Sequence, residues 1–370
     1  IVWEKTDESY TTCSAFDETG RYLILGKAHG WVEVYDVEKK KMLHRFFTGC
    51  LVQNRLSLPN GPIVKNRMDY DTSGRMACSV QSLMIKNGQI ITGGQFGNLG
   101  IWDLKTGKLL QHVEYIDPAP AWMYASPSYN TEYNPVNALA LDPAKNMLAS
   151  ATDRASIRLW KMPECKPLRT LKGKVNSLSA AIFHPTANAI IVASDNTAEG
   201  LENVKRSAMP ADTTLKVWHF TPHGIRLETL DGSVDWVTAL MISPDGEQVT
   251  AFDRAGWLST WDWQTHRRLE SRLFDSPVAE MESSPFDSKF AVIRSNFKDS
   301  TEVRIHSPGV DKPLARFQVP ENGNHTLRFT AKNEAIIFFE GLDPIEFHLD
   351  FEKNIVRKTD FPWLKMDIIQ

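Results

Sequence analysis

One feature constrains this chain more than any other: a strand–turn–strand unit that recurs with tryptophan at its end. The segment LASATDRASIRLW (residues 148–160) aligns with VTAFDRAGWLSTW (residues 249–261), matching a short strand, an Asp-Arg-Ala turn and a second strand. Degenerate copies follow the same plan. Residues 90–103 read IITGGQFGNLGIWD, residues 23–36 read LILGKAHGWVEVYD, and the stretch from Thr214 to Trp218 closes on the same Val-Trp pair. A repeat of this kind sets the domain count of the whole chain, because each copy is one supersecondary unit that buries its faces only against its neighbours.

A turn precedes each of these hairpins. Turn formers stand at Asp17–Gly20, Asn87-Gly88, Asp142–Asn146, His184–Asn188, Pro244–Gly246, Pro285–Ser288 and Ala331–Asn333, each between two runs of apolar and β-branched residues. That is the pattern of an antiparallel hairpin. A third strand then ends near Tyr35, Trp102, Trp160, Trp218, Trp261, Ile305 or Phe347, and a polar turn such as Asp103–Lys108 leads to a fourth short strand such as Leu109–Val113. The unit is a four-stranded antiparallel meander, present seven times.

Ile101-Trp102-Asp103 and Thr260-Trp261-Asp262 end their strands with Trp-Asp, and Ser243–Gly246 forms the turn Ser-Pro-Asp-Gly. On these residues the sequence resembles the WD40 repeat family, with Trp160-Lys161 and Trp218-His219 as near matches. The Gly-His pair that opens a repeat in that family is missing throughout, so the family's Asp–His–Ser/Thr–Trp hydrogen-bond tetrad is expected to be incomplete in every unit. The expected fold is all-β, a seven-bladed WD40-like β-propeller of four-stranded antiparallel blades, as one domain over residues 1–370. Blades are expected at about 10–47, 78–114, 135–172, 174–231, 234–274, 277–319 and 324–359. Radial stacking buries both faces of each sheet. The fourth strand of the seventh blade is assigned to Ile355–Lys358, with Val2–Lys5 as its competitor.

Successive strand-end markers are separated by 67, 58, 58, 43, 44 and 42 residues. The last three match a repeat of about 40–45 residues, so the excess lies in three insertions, at 48–77, 115–134 and 196–212. In a propeller, the connections from a fourth strand to the next blade and from a second to a third strand leave on the same face. All three insertions belong to these two classes, and long loops without regular structure of their own are commonly functional. The second carries Trp122, Tyr124, Tyr129 and Tyr133, aromatic types enriched at binding hot spots. Arg154 and Arg254 follow the turn aspartates Asp153 and Asp253, with His29 and Phe96 in comparable places. The resemblance implies that such positions rim the central channel, as does Trp236 at the start of the fifth blade. These nine residues are the expected partner-binding set.

Other functions find less support. The four cysteines, at 13, 50, 78 and 165, have no CxxC spacing and read as scattered reduced thiols of an intracellular protein, cytoplasmic or nuclear. No apolar run exceeds five residues, against the roughly twenty needed to span a bilayer. Because the chain opens on Ile1, removal of a natural start is expected. There is no GxSxG, P-loop or GxGxxG motif, and aspartates such as Asp36, Asp103, Asp245 and Asp262 fall at turns, where a structural role suffices. No catalytic residue and no cofactor is expected. His219 and His223 are four apart, but Phe-Thr-Pro between them and Gly224 after them make a turn rather than a helix face, so no metal site is expected of that pair. Forty-two basic against forty-five acidic side chains leave a net charge of −3, too balanced for phosphate neutralisation to occupy the whole surface. Local basic clusters exist, Arg55, Lys65, Arg67 and Arg75 in the first insertion and Lys166, Arg169, Lys172 and Lys174 after Trp160. The expected function is a non-enzymatic scaffold that binds a peptide or partner subunit within a multi-protein complex, with RNA association in a ribonucleoprotein as the alternative.

Overall fold

The computed structural model describes residues 11–360 except 29, 40, 49, 53–54, 58–78, 96, 114–133, 143, 153–155, 173–176, 196–214, 222, 231–236, 244, 254, 274–279, 285–286, 288, 297–299, 308–309, 311, 320–324 and 340–344. All regular structure among these residues is strand, in seven four-stranded antiparallel sheets and one two-stranded hairpin. The sheets lie within residues 11–47, 80–113, 136–172, 177–230, 237–273, 280–319 and 325–360, here blades 1 to 7, each an up-and-down meander in chain order. First strands pack on one another in sequence from Thr11–Phe16 through Val80–Lys86 and onward to His325–Ala331, which returns to Thr11–Phe16 and closes the ring. Ile355–Asp360 is the fourth strand of blade 7. No helix among the described residues is long and apolar enough to cross a membrane.

The second and third strands explain why a ring forms. Along Ala189–Asp195, Ile190 and Val192 enter the core shared with blade 3, while Ala189, Ile191 and Ala193 enter the core shared with blade 5. Alternation therefore separates two apolar faces rather than an apolar face from a wet one. All five side chains are at most 1% exposed, and burial of each isoleucine or valine contributes about 1.5–3 kcal/mol. Five of the seven strand-end markers share one orientation, whereas Ile305 enters the core with the following blade 7. Trp102 packs into the core with blade 1, Trp160 with blade 2, Trp218 with blade 3, Trp261 with blade 4 and Phe347 with blade 6. Each fills the wedge to the preceding blade.

Part of the family tetrad survives. The Trp102 indole donates to Thr92 Oγ1 at 3.0 Å and that of Trp160 to Ser150 Oγ at 2.9 Å, each linking the third strand to the second. The turn aspartates act as caps: Asp103 Oδ1 accepts from the amide and hydroxyl of Thr106 at 2.8 and 2.7 Å, and Asp262 Oδ1 accepts from those of Thr265 at 2.7 and 2.6 Å. The first insertion, expected as a loop without regular structure, contains the small hairpin of Cys50–Val52 and Arg55–Ser57, with Gln53 and Asn54 between its strands in sequence.

Candidate functional site: the insertion-bearing face

Connections in a meander alternate between its two ends. The loops from second to third strand and from fourth strand to the next blade must therefore share one face, and backbone hydrogen bonds in blades 1 and 2 bear this out. Thr48, which opens the first insertion, donates its amide to Gly30 O at 2.8 Å and its hydroxyl to the same oxygen at 2.9 Å. Gly30 lies between the second and third strands of blade 1. Gln95 plays the matching part in blade 2: its carbonyl accepts from the Asn134 amide at 3.1 Å, at the end of the second insertion, and its Oε1 accepts from the Ser79 amide at 3.4 Å, just beyond the first. The third insertion stands in sequence between Ala189–Asp195 and Leu215–Thr221, the second and third strands of blade 4.

Described side chains at this end of blade 1 form a charged and aromatic corner. The Arg45 guanidinium lies 4.2 Å from the Trp31 ring centre, and Trp31 meets Phe47 at 5.2 Å. Glu33, largely buried, accepts the Tyr35 hydroxyl at 2.9 Å and stands 3.5 Å from Lys27 Nζ, which donates to Thr11 Oγ1 at 2.9 Å. In blade 5, Asp253 shapes its loop by accepting from the Trp257 amide at 2.9 Å through its carboxylate and from the Gly256 amide at 3.0 Å through its carbonyl.

All nine expected partner-binding residues, His29, Phe96, Trp122, Tyr124, Tyr129, Tyr133, Arg154, Trp236 and Arg254, lie outside the described residues. The described neighbours of four of them, Ala28 and Gly30, Gln95 and Gly97, Thr152 and Ser156, and Asp253 and Ala255, all belong to second-to-third-strand connections or their strand ends. Trp31 and Arg45 were not singled out in the sequence. Their pairing depends on register, Trp31 opposite Phe47 and Glu33 opposite Arg45, which spacing alone does not show. Of the basic clusters, Lys166 and Arg169 are exposed on the outer strand of blade 3, Arg55 is on the small hairpin, and Lys65, Arg67, Arg75 and Lys174 lie outside the described residues.

Cys13 and Cys165 are free thiols. Burial pushes the Cys13 thiol up to about 12, against a lowering contribution from its hydrogen bond with Thr12, and burial pushes Cys165 up to about 11. Neither presents a thiolate near neutral pH, so both serve packing rather than nucleophilic chemistry.

Comparison with known proteins agrees with the geometry. The sequence matches the WD domain, G-beta repeat family over residues 127–161 and 165–199. The second match takes in the fourth strand of blade 3 and the first two strands of blade 4, so the sequence repeat is offset from the structural blade. The chain is 24% identical to nuclear distribution protein nudF of Emericella nidulans over 200 residues, 52% of this chain and 40% of that protein. It is 34% identical to nuclear distribution protein PAC1 of Arthroderma benhamiae over 138 residues, 37% of this chain and 25% of that protein. It is 23% identical to the CCR4-associated factor 4 homolog of Vanderwaltozyma polyspora over 48% of this chain and 33% of that protein. These matches thus span less than half the length of each relative. The computationally designed Ika8 protein shares the fold, with a TM-score of 0.62 at 18% identity over 95% of this chain and 87% of that one. The blade architecture, the Trp–Ser/Thr hydrogen bonds and the matched repeats point the same way: the chain is a seven-bladed propeller that carries WD domain, G-beta repeats in two places.

Proposed function

We propose that this chain is a non-enzymatic interaction scaffold that docks a peptide or partner subunit on its insertion-bearing face, within a cytoplasmic or nuclear multi-protein assembly. Propellers with such repeats generally serve as non-enzymatic platforms. The observation that carries the reading is the anchoring of Thr48, Ser79 and Asn134 on Gly30 and Gln95, which brings the first two insertions to the same end of neighbouring blades. Aromatic and arginine anchors for a ligand, Trp122, Tyr124, Tyr129, Tyr133, Arg154 and Arg254, belong to those connections in sequence. His29, Phe96 and Trp236 complete the proposed surface.

The test replaces residues 116–132 by a short Gly-Ser linker, together with Arg154→Ala and Arg254→Ala, and compares affinity capture from native extract at low and high salt, with and without nuclease. The expected result is a captured set that survives salt and nuclease with the parent chain and is lost with the variant, at an unchanged thermal melt. An unchanged capture profile overturns the reading. A captured set that disappears with salt or nuclease supports RNA association instead, since phosphate contacts weaken steeply with ionic strength; the exposed Lys166 and Arg169 are then the first residues to replace.

A further inference from the structure

The face opposite the insertions carries a convergence of histidine and carboxylate between blades 4 and 5. His219 sits in the third strand of blade 4, Leu215–Thr221, and Glu228 in the fourth, Gly224–Leu230. Their register pairs Val217 with Glu228 and His219 with Arg226, so His219 and Glu228 are diagonal neighbours on one face of the sheet. Val217 belongs to the core shared with blade 5, which identifies that face as the one turned toward blade 5. From blade 5 comes His266, in the turn between Trp257–Asp262 and Arg268–Leu273, held in the left-handed region at φ 56°. Asp262 shapes the turn through Thr265. Beneath the group lies Trp263, 7% exposed, with ring centres 5.5 Å from His219 and 5.7 Å from His266.

Three potential ligand atoms meet there. His219 Nε2 is 2.9 Å from Glu228 Oε2, His266 Nδ1 is 3.1 Å from the same oxygen, and all three atoms lie within 4.8 Å of one another. The other carboxylate oxygen, Oε1, is engaged by Arg226 Nη2 at 2.7 Å, which leaves Oε2 directed at the two rings. Zinc bonds of about 2.0–2.1 Å in a tetrahedral shell place neighbouring ligand atoms about 3.3 Å apart. The two nitrogen-to-oxygen spacings of 2.9 and 3.1 Å are close to that value. The three residues are 19 to 25% exposed, so water reaches a fourth position.

We infer that His219, Glu228 and His266 form a divalent metal site, with zinc as the preferred ion, that clamps blade 4 to blade 5. Two imidazoles and one carboxylate are a borderline donor set suited to zinc, and Arg226 supplies the outer hydrogen bond that orients the carboxylate. Spacing in the sequence pairs His219 with His223, which is exposed in the adjoining turn; the partners in the structure come from the paired strand and from the next blade.

The experiment strips the full chain with chelator, exchanges it into metal-free buffer and titrates it with zinc chloride by calorimetry, with cobalt(II) absorption as a spectroscopic probe. One zinc per chain, ligand-field bands of four-coordinate cobalt and a zinc-dependent rise in melting temperature are expected. His219→Gln, Glu228→Gln and His266→Asn should each weaken zinc binding at least tenfold; asparagine tolerates the left-handed backbone of the turn, so His266→Asn tests the ligand without breaking the loop. Their melts in chelator report folding separately. Absence of zinc binding, or binding that persists unchanged in Glu228→Gln and His266→Asn, overturns the assignment.

Discussion

Asp36 illustrates how much of this chain's acidic character is spent on turns. It is 1% exposed, accepts the Lys39 amide at 2.9 Å and receives Arg21 Nη2 at 3.0 Å. Burial alone raises its carboxyl, but the Lys39 amide and the Arg21 guanidinium outweigh burial and hold it below the ordinary value. A carboxyl depressed in the folded state stabilises the fold above its unfolded pKa, about 3.9, and that contribution is lost as pH falls through the folded value. Asp36→Asn should therefore lower stability at neutral pH and flatten the acid limb of the stability curve, measured by urea melts at a series of pH values. The capping roles of Asp36, Asp103, Asp245 and Asp262 were legible from their place between turn formers. His219, Glu228 and His266 were not legible as a group, because two strands and two blades separate them and only register brings their atoms together.

At the scale of strands, two recurrent irregularities set the propeller's edges. First strands in blades 1 to 5 each carry a register shift one or two residues from their start, between Thr11 and Cys13, Val80 and Ser82, Val136 and Ala138, Leu178 and Ala180, and Val237 and Ala239. Such bulges re-aim side chains. In the first four blades, polar groups at or beside the bulge reach a backbone carbonyl of the next blade: Thr12 to Val80, Ser82 to Val136 at 2.6 Å, Asn137 to Leu178 at 3.1 Å and Ser179 to Val237 at 2.7 Å. A second shift falls in the fourth strand opposite Tyr35, Trp102, Trp160 and Trp261, where the skipped residues are Leu43, Leu110, Leu168 and Leu269. Three of these leucines are more than half exposed, at 53, 52 and 54%. Ser82→Ala should cost about 1–3 kcal/mol by leaving a buried carbonyl unpaired, whereas Leu269→Lys should stay within about 0.5 kcal/mol; urea denaturation distinguishes them. Hydropathy alone ranks these two substitutions in the opposite order.

Closure of the ring is a property of the whole molecule. Arg328, in the first strand of blade 7, donates to Glu18 O in blade 1 at 2.9 Å and lies 5.8 Å from the Phe16 ring centre. Gly20 makes room for it: with φ at 76°, an added Cβ would stand 1.7 Å from Arg328 Nη1. Gly20→Ala should incur the backbone-strain cost and lose the closing contact together, a destabilisation of about 2–3 kcal/mol, whereas Gly88→Ala, at φ 72° with nothing within 4 Å, should incur only the first, about 1–2 kcal/mol. Thermal and urea melts of the pair isolate the contribution of closure. The repeat count and the strand order within a blade follow from the sequence alone, because turn formers, two-sided apolar strands and terminal tryptophans such as Trp102 and Trp160 are local signals repeated along one chain. Tertiary structure alone decided which blade each tryptophan packs against and that His219 meets His266 rather than His223. Those outcomes depend on stacking and register between segments far apart in sequence, and local periodicity carries no information about either.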